Sequence, residues 1–446
     1  MIMRKNIQMN CMFQLLLTLL LIAGCSSSDD GPESPDTSNR TVLRQAKDFS
    51  VNSMDLGRYV RLGLNQESVD LEFTLGTNSV QKVEVRPANL GISYDVKGNK
   101  LTLLDVRPCK ATVIINEDYR NPIYLFVDGR TPAEWNKLPA STIRYAKGTH
   151  TENLIIDQDN TTVFLEEGAS LVGYIQSNGH KNIRILGYGV IDGRNAQRAI
   201  RMEKCSNIEV CGPVIMSRAG WTTSYFECDQ VHIHDVKILG AQVYSDGIDL
   251  VGTSNVTVDN VFVRTEDDCI VIKTNKYGFS GNVENITVKN SVLWGGPSGN
   301  CMEIGWELDG TYLRNIGFEN MDVVRLETSL NRFKHGAITI HQCGNSTISN
   351  VSYKNIRMED VNEQLVWIEL IPARTDGWGS GGGNIDNIHF ENMEYTQGED
   401  NDILIKKSDS GTITNVTFSG LKYKGKTVAA ISDPIFDIVD AQVKIE

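Results

Sequence analysis

Short runs of alternating apolar and polar residues recur along most of this chain, and one pattern repeats among them. An asparagine is followed by an aliphatic residue, then by alternating polar and apolar residues, and usually by a second asparagine or a glycine. Such alternation is typical of β-strands with one buried face. The clear copies (NVTVDNV, NITVKNS, NIGFENM, NVSYKNI, NIHFENM and NVTFSGL) begin at Asn255, Asn285, Asn315, Asn350, Asn387 and Asn415.

The spacing of these copies predicts a solenoid. Looser copies begin at Asn182, Asn207 and Gln230, and the intervals run from 23 to 37 residues (230 − 207 = 23; 387 − 350 = 37). A repeat of this length, with strand alternation and no helical segment, predicts a right-handed parallel β-helix whose coils lie about 4.8 Å apart. Asparagine suits one corner because it tolerates a left-handed turn and its amide bonds to the amides stacked above and below it.

Changes in composition divide the chain into four segments. Residues 1–24 are typical of a lipoprotein signal peptide, and residues 25–47 of a flexible linker rich in Ser, Asp and Pro. Residues 48–130 hold short alternating runs separated by turn residues, which predict several antiparallel strands in a small β-sandwich. Residues 131–446 form the predicted β-helix, so the fold class is all-β.

The amino-terminal segment predicts export and a lipid anchor. Arg4 and Lys5 precede an apolar run from Phe13 to Ala23. This run is shorter than the roughly 20 apolar residues that a membrane-spanning helix needs. The run leads through Gly24 to Cys25 and resembles a bacterial lipoprotein signal, with lipid on the sulfur of Cys25; a plain secretory signal is the alternative. We therefore expect an exported lipoprotein of a Gram-negative bacterium, anchored in the outer or cytoplasmic membrane and facing the periplasm or the cell surface.

Charge and cysteine usage narrow the possible partners. The net charge of −13 disfavours nucleic acid and mildly disfavours a polyanionic substrate. Seven cysteines remain once Cys11 and Cys25 are set aside, and their irregular spacing contains no zinc motif or disulfide framework. We expect buried free thiols, no metal, no cofactor and a monomer.

Two short acidic motifs lie 21 residues apart (267 − 246 = 21). Asp246 opens Asp-Gly-Ile-Asp, and Asp267 and Asp268 open Asp-Asp-Cys-Ile. If this offset is one coil, the three carboxylates share one exposed face. Crowded carboxylates repel one another, so one holds a proton as general acid while the others stay ionised as bases. Glycoside hydrolysis needs this division of roles, and we take the three as candidate catalytic residues.

Aligning further coils on this register predicts a polar column along the same face. The column consists of Asp246, Asp267, Asn300, His335 and Glu363, with Asp249 and Glu303 in equivalent places three residues further on. For any one of these residues a turn, packing or solvated role is the alternative. The candidate substrate-binding residues are Asn300, Glu303, Trp306, Arg332, Lys334 and His335.

These motifs resemble those of two families of β-helical glycoside hydrolases that share a clan, the polygalacturonases (family 28) and the dextranases (family 49). The polygalacturonase pattern Asn-Thr-Asp-Gly-Ile-Asp is matched by residues 244–249, and Asp-Asp-Cys by residues 267–269. Asn300 stands where the Gly-His-Gly motif has its histidine, and residues 332–334 are a loose counterpart of Arg-Ile-Lys. Dextranases fit residues 300–306 better and also carry a β-sandwich before the β-helix.

The resemblance implies an inverting hydrolase in which Asp267 is the general acid and Asp246 and Asp268 activate water. We therefore expect an O-glycosyl hydrolase acting on a polysaccharide or its oligosaccharides. One alternative is a β-helical polysaccharide lyase, with a calcium-type acid cluster and Lys273, Arg332 or Lys334 as base. Another is a non-catalytic carbohydrate-binding solenoid, in which the three aspartates need not converge.

Overall fold

Parallel coils make up most of the molecule, as the Asn-corner repeat predicts. The computed structural model describes residues 40–446 except Asn78, Asn195, 330–334, Asp376 and 399–401. Thr41–Glu446 form one compact unit. The predicted signal peptide, its Cys25 and most of the predicted linker lie outside the described residues. None of the described helices is long and apolar enough to cross a membrane.

Two long sheets form the β-helix, and nearly all of their strand pairs are parallel. The second sheet carries the polar column, and we call it the groove sheet. Its strands are Leu154–Ile156, Ile175–Asn178, Ile200–Glu203, Thr223–Phe226, Ile248–Val251, Ile270–Lys273, Met302–Trp306, Gly336–Gln342, Gln364–Leu370, Ile403–Lys407 and Phe436–Val439. The predicted all-β, parallel β-helix architecture is thus confirmed.

The first long sheet wraps the rest of each coil. Its strands are Ile143–Tyr145, Gly148–Thr151, Thr162–Leu165, Ala169–Val172, Lys181–Gly187, Val190–Gly193, Ser206–Cys211, Val214–Ser217, Asp229–His234, Lys237–Gly240, Ser254–Asp259, Phe262–Thr265, Val283–Lys289, Val292–Gly295, Tyr312–Leu326, Thr347–Val361, Asn384–Gly398, Ile413–Ser419, Lys422–Tyr423, Lys426–Thr427 and Val443–Ile445. Apolar side chains from both long sheets meet in one continuous core inside the coils.

The asparagine corners form a hydrogen-bonded ladder on the first long sheet. Six of them, from Asn255 to Asn415, have φ between +54° and +59°. The amide of each of four successive corners donates to the asparagine one coil earlier at 2.7–3.3 Å, from Asn285 to Asn387. Asparagine tolerates this left-handed backbone better than other residues with a Cβ, which is why the residue recurs there.

Two smaller sheets precede the β-helix and enclose a separate core. The four-stranded sheet comprises Val42–Arg44, Val69–Thr74, Lys100–Val106 and Ser93–Lys97, and the five-stranded sheet comprises Asn52–Met54, Gly57–Gly63, Ile123–Asp128, Cys109–Ile115 and Val83–Arg86. The remaining elements are a short hairpin, Asn275–Lys276 with Phe279–Ser280, and two 3-10 helices, Ala88–Leu90 and Ala133–Lys137.

Two details of this region differ from the prediction. Val42–Arg44 pairs with Val69–Thr74, so strand structure begins inside the segment predicted as linker. That pair is parallel, and so is the pair of Gly57–Gly63 with Ile123–Asp128, whereas antiparallel strands were predicted. Alternation of apolar residues identifies a strand but carries no information on the direction of its partner, which the connections decide.

The seven remaining cysteines are free, and all except Cys109 are buried. Cys269 and Cys301 precede the paired residues Ile270 and Met302 and lie in the interior of the coils without solvent exposure. They therefore act as small core residues, as predicted.

The groove sheet also corrects the predicted register. Ile248 pairs with Ile270, Ile270 with Met302 and Met302 with Ile338. Counting back two residues gives the observed column, Asp246, Asp268, Asn300 and Gly336, which continues to Gln364. Asp267, His335 and Glu363 each precede the column by one residue instead of standing in it. The predicted equivalence of Asp249 and Glu303 is correct, with Val271 between them.

Candidate active site

An open groove of about 580 Å³ lies over the middle of the groove sheet, and we call it the acidic groove. Its walls combine carboxylates, cations, imidazoles and aromatic rings. The lining residues are Trp221, Val243, Tyr244, Asp246, Asp267, Asp268, Lys273, Lys276, Tyr277, Ser298, Asn300, Trp306, Glu307, His335, His341, Arg374 and Trp378. All three predicted catalytic aspartates are therefore in one groove.

Asp246 and Asp268 face each other across one coil. The Gly247 amide donates to the Asp268 carbonyl at 2.8 Å, and the Ile248 amide donates to the Cys269 carbonyl at 3.0 Å. This backbone pairing places the two carboxylates on neighbouring coils at the same level of the sheet, about 4.8 Å apart at the backbone. Both side chains are more than nine-tenths buried.

Backbone amides orient Asp267, which stands beside that pair and is partly exposed. The Tyr244 amide donates to its Oδ2 at 3.0 Å and the Asp268 amide to its Oδ1 at 3.1 Å. Burial raises the pKa of Asp267 to about 6, although Lys273 and these two amides act in the opposite direction. The carboxyl therefore keeps a proton at mildly acidic pH.

Asn300 fixes the rotamer of Asp268. Its backbone amide and its Nδ2 both donate to Asp268 Oδ1, at 2.8 and 2.9 Å, while its own Oδ1 accepts from the Gly336 amide at 2.9 Å. Asn300 lines the groove, and these three hydrogen bonds all lie within the protein. Its observed role is to position Asp268, whereas the substrate contact predicted for it stays a prediction.

Burial raises the pKa of all three aspartates, and neighbouring carboxylates add to the effect. Burial raises the pKa of Asp246, and the neighbouring Asp249 and Asp267 raise it further. Burial, Asp267 and Glu303 raise the pKa of Asp268. The cluster therefore cannot carry its full negative charge, and it shares protons as a general acid and base must.

Lys273 is a fixed cation beneath the cluster. Its Nζ lies 3.0 Å from Glu307 and 4.5 Å from the ring centroid of Trp221. Burial alone would lower the pKa of Lys273, but Glu307 and the aspartates, led by Asp246, hold it well above its ordinary value. Glu307 also bonds Lys276, so this carboxylate neutralises two cations at the groove wall. Lys273 cannot act as a proton acceptor in that state.

Two histidines, His335 and His341, line the acidic groove from the coil that follows Asn300. His335 is buried, and burial together with His341 lowers its pKa to about 4, so its imidazole is neutral at pH 7. His341 stacks on Trp306 with ring centroids 4.7 Å apart. Among the described residues, His335 Nδ1 and His341 Nε2 have no hydrogen-bond partner although both atoms are buried. Both imidazoles thus keep one unsatisfied ring nitrogen beside the groove that they line.

The prediction for Glu303 was wrong in its role. Its side chain has no solvent exposure and does not line the groove. Its two carboxylate oxygens lie 3.0 Å from His341 Nδ1, and it also accepts a bond from Thr339. Glu303 orients an imidazole instead of contacting substrate. Glu363 likewise faces the protein, where it accepts from the Ser329 amide at 2.7 Å.

Of the other predicted residues, Trp306 and His335 line the groove, whereas Arg332 and Lys334 lie outside the described residues. His341 was not assigned from the sequence. The feature that could have identified it is its position near the end of the strand that follows His335. Sequence reasoning also missed Lys276, Tyr277, Arg374 and Trp378, which loops and the short hairpin contribute. Arg374 lies 5.4 Å from the Trp306 ring and 5.3 Å from the Trp378 ring, so the 372–383 loop forms one end of the groove.

Among the residues that the structure describes, one group of Cys, His, Asp and Glu brings three ligand atoms within 4.8 Å of one another. It consists of Cys211, His234 and Asp235. Cys211 and His234 belong to the first long sheet, and none of the three lines the acidic groove. The groove aspartates do not form such a group, so their spacing is wider than a compact cation cage requires.

A parallel β-helix with crowded aspartates over its coils is the arrangement that the sequence motifs predicted, and the family comparison agrees. Residues 114–437 match the family described as glycosyl hydrolases family 28. The chain belongs to this family.

Individual relatives are more distant. A probable endopolygalacturonase D from Neosartorya fischeri is 26% identical over 183 residues, which are 41% of this chain and 35% of that protein. A polygalacturonase from Juniperus ashei is 22% identical over 255 residues, which are 56% of this chain and 48% of that protein. The matched region thus spans less than half of each of these curated relatives.

Solved structures share the fold. Dex49A from Penicillium minioluteum superposes with a TM-score of 0.59 at 13% identity, over 87% of this chain and 83% of that one. The polygalacturonase from Erwinia carotovora ssp. carotovora gives 0.51 at 16% identity, over 68% and 89%. The predicted resemblance to the polygalacturonase and dextranase clan is confirmed at the level of family and fold.

Proposed function

We propose that this protein hydrolyses glycosidic bonds of a polysaccharide or its oligosaccharides with inversion at the anomeric carbon. The observation that carries the proposal is the convergence of Asp246, Asp267 and Asp268 in one groove, with different environments for the three carboxyls. Membership of glycosyl hydrolases family 28 supports the same reaction class.

Asp267 is the general acid in this proposal. Its pKa of about 6 keeps it protonated at mildly acidic pH, and its partial exposure lets it reach the glycosidic oxygen. Asp246 and Asp268 hold the attacking water between neighbouring coils, and Asn300 fixes the orientation of Asp268. As the water oxygen bonds to the anomeric carbon, the bond to the leaving oxygen breaks. The leaving oxygen takes the proton of Asp267, and the water proton passes to the Asp246 and Asp268 pair.

The separation of the acid and base carboxylates distinguishes inversion from retention. Inverting enzymes leave roughly 6.5–9.5 Å between acid and base for the water, whereas retaining enzymes have about 5–5.5 Å. The three groove aspartates do not bring their oxygens together within 4.8 Å. Both separations exceed 4.8 Å, so the proposal of inversion rests on the motif resemblance and is tested by the anomeric form of the product.

Two alternatives fit the site less well. A lyase needs a base for the α-proton, but Lys273 is held as a cation by Glu307 at 3.0 Å. A lyase with a calcium-type site would also need a tight cage of carboxylates around the ion. The groove aspartates do not form such a cage. A purely binding solenoid gives no reason to bury and crowd three carboxylates, because that crowding costs stability.

The test uses polygalacturonate, rhamnogalacturonan, galactans and dextran, with products resolved by size and by anomeric form in NMR. We expect one of these glycans to yield a product of inverted configuration. Asp267→Asn should lower kcat by about 10²–10⁴-fold or more, because general acid catalysis is lost. The matched control is Asp437→Asn, an exposed aspartate on the same sheet, which should keep full activity.

Unfolding curves show whether each variant is folded. Undiminished turnover by folded Asp267→Asn would overturn the acid assignment. A retained anomeric configuration would overturn inversion, and an unsaturated product absorbing in the ultraviolet would identify a lyase.

For the location of the protein we propose export and a lipid on Cys25, on the grounds of the amino-terminal motif alone. Cys25→Ser should move the protein from the membrane fraction to the soluble fraction and abolish labelling by a radioactive fatty acid. Membrane attachment that survives this change would refute the lipid anchor.

A further inference from the structure

A cluster of possible metal ligands lies on the first long sheet, apart from the acidic groove. Cys211 ends the strand Ser206–Cys211, and His234 ends the next strand of that sheet region, Asp229–His234. These two residues pair across one coil, and Asp235 follows His234 directly. One sulfur, one ring nitrogen and one carboxylate oxygen of the three side chains all lie within 4.8 Å of one another. Thiolate, imidazole and carboxylate are the groups that bind Zn²⁺ in proteins.

The backbone holds these side chains on the outer face of the coils. The residue before each strand end, Val210 or Ile233, belongs to the continuous core. Because successive side chains of a strand alternate between its faces, Cys211 and His234 project outward. Asp235 stands at the following corner with φ of +55°. The regular coil therefore fixes where all three groups begin.

The surroundings of Asp235 leave one of its oxygens for the imidazole. Asn260 Nδ2 donates to Asp235 Oδ1 at 2.7 Å, and Lys110 Nζ lies 3.9 Å from the same oxygen. The other oxygen, Oδ2, lies 2.9 Å from His234 Nδ1. Asn260 and Lys110 thus hold the carboxylate without occupying the side that faces His234.

Glu209 engages the second nitrogen of the same imidazole. Its Oε1 lies 3.3 Å from His234 Nε2, and its Oε2 accepts from Arg184 Nε at 2.6 Å. A metal-bound histidine usually donates its other N–H to a carboxylate, which sets the tautomer and the orientation of the ring. Arg184 and Glu209 provide this support, and Nδ1 is the nitrogen that remains for an ion.

The three groups differ in depth. Cys211 is 4% exposed and packs with Trp135, whereas the side chains of His234 and Asp235 are 20% and 38% exposed. An ion can therefore enter from solvent past the imidazole and the carboxylate and meet a protected sulfur. The offset between Cys211 and His234 is one coil (234 − 211 = 23), which is why local spacing in the sequence revealed no zinc motif.

We propose that Cys211, His234 and Asp235 bind a transition-metal ion of the Zn²⁺ type and thereby join two neighbouring coils of the β-helix. The protein ligands are Cys211 Sγ, His234 Nδ1 and Asp235 Oδ2, and water takes the remaining position. Binding releases the protons of the thiol and the imidazole to solvent. The site is separate from the proposed hydrolysis, since none of the three ligands lines the acidic groove.

The experiment uses the full chain after treatment with a chelator. Calorimetry measures Zn²⁺ binding, and Co²⁺ serves as a spectroscopic probe because a bond between cobalt and a thiolate absorbs in the near ultraviolet. We expect this absorption and a Tm that rises with Zn²⁺ concentration. Cys211→Ser should abolish the absorption and weaken Zn²⁺ binding by about tenfold or more, because the thiolate is lost. Glu209→Gln keeps all three ligands and should weaken binding by about 10–100-fold.

Two matched variants control for the other thiols and histidines. Cys109→Ser removes a free thiol of the five-stranded sheet, and His389→Gln removes an exposed histidine of the first long sheet. Neither should change the Zn²⁺ affinity or the cobalt spectrum. Unfolding curves of the metal-free proteins establish that each variant is folded. If Cys211→Ser does not fold, Asp235→Asn on the exposed side supplies the same test of affinity.

Each outcome decides the proposal. Zn²⁺ binding and thiolate absorption that are both lost with Cys211→Ser support the site. Equal Zn²⁺ affinity in the folded ligand variants, a cobalt spectrum without thiolate absorption, or no binding by the unaltered protein would overturn it. The cluster would then be an ion pair of His234 with Asp235 and Glu209. None of these measurements depends on glycan hydrolysis, so failure of the proposed function would leave the metal site standing.

Discussion

At the scale of single residues, four carboxyls compete for protons in one small volume. Asp249 lies beneath the groove with no solvent exposure, and its pKa is raised to about 8, first by burial. It is therefore protonated at neutral pH and adds little charge to the cluster. Asp246 and Asp268 are each pushed towards protonation by burial and by acidic neighbours. Activity should consequently depend on how many protons the cluster holds.

The first prediction concerns this proton count. A general acid works only while protonated, and burial raises the pKa of Asp267 from its ordinary 3.8 to about 6. The protonated fraction therefore falls about tenfold per pH unit above pH 6, and kcat/KM should fall with it. At lower pH the activity should fall again, because Asp246 and Asp268 must lose a proton to accept one from water.

The measurement is kcat/KM for the best glycan between pH 3 and pH 9 at constant ionic strength. The Asp437→Asn protein is a suitable control, since its substitution on the exposed face should leave the profile unchanged. An activity that stays constant from pH 6 to pH 8 would contradict the assignment of Asp267 as the acid.

At the scale of strands and corners, alternation and the asparagine repeat were sufficient to predict the coils, the ladder and the groove face. The predicted register of the groove sheet was wrong by one residue. The prediction counted from the acidic motifs, 21 residues apart, whereas the structure pairs Ile248 with Ile270, 22 residues apart. Buried aliphatic residues set strand pairing, and the extra residue is taken up in the turn before the strand. Aligning the aliphatic positions would have placed Asp268 opposite Asp246.

Side chains from loops were beyond such reasoning. Arg374 and Trp378 reach the groove from a glycine-rich corner loop, and Tyr277 from a short hairpin. The conformation of these segments depends on tertiary contacts that no repeat in the sequence records. The same limit explains why Glu303 was taken for a surface residue, since burial under His341 is a property of the assembled coils.

The second prediction tests the ladder. Asn350 has φ of +54°, donates to Asn315 at 3.3 Å and accepts from Asn387 at 2.7 Å. Asn350→Ala should lower the free energy of unfolding by roughly 2–3 kcal/mol, because alanine is strained in a left-handed position and the ladder bonds are lost. Asn350→Gly relieves the strain and should cost only about 1 kcal/mol. Urea unfolding curves measure both, and equal losses for the two variants would show that backbone strain plays no part.

At the scale of the whole molecule, the β-sandwich packs on the back of the β-helix. Tyr124 and Phe126 of the five-stranded sheet meet Phe262 and Trp294 of the first long sheet, with ring centroids 5.1–6.1 Å apart. These four rings are almost fully buried. Without the sandwich, this aromatic surface of the β-helix would face water, so the two parts should stabilise each other.

The third prediction follows from the polar contact in the same interface. Arg86, only 4% exposed, donates to the Val324 carbonyl at 2.9 Å and to Asp360 at 3.1 Å, and so joins the sandwich to the coils. Arg86→Met removes the cation that faces Asp360, so part of the negative charge buried at this interface loses its partner. We expect it to lower the free energy of unfolding by about 3 kcal/mol, while unfolding stays a single transition.

Denaturant unfolding followed by both tryptophan fluorescence and circular dichroism measures this effect. Arg107→Met is the control, because that arginine pairs with Glu67 at an exposed surface and should contribute less than about 1 kcal/mol. Coincident transitions at a lower midpoint would mean that sandwich and β-helix unfold together. If Arg86→Met instead produced a separate early transition, the sandwich would be an independent domain, and the interface would add little to the stability of the coils that hold the aspartates.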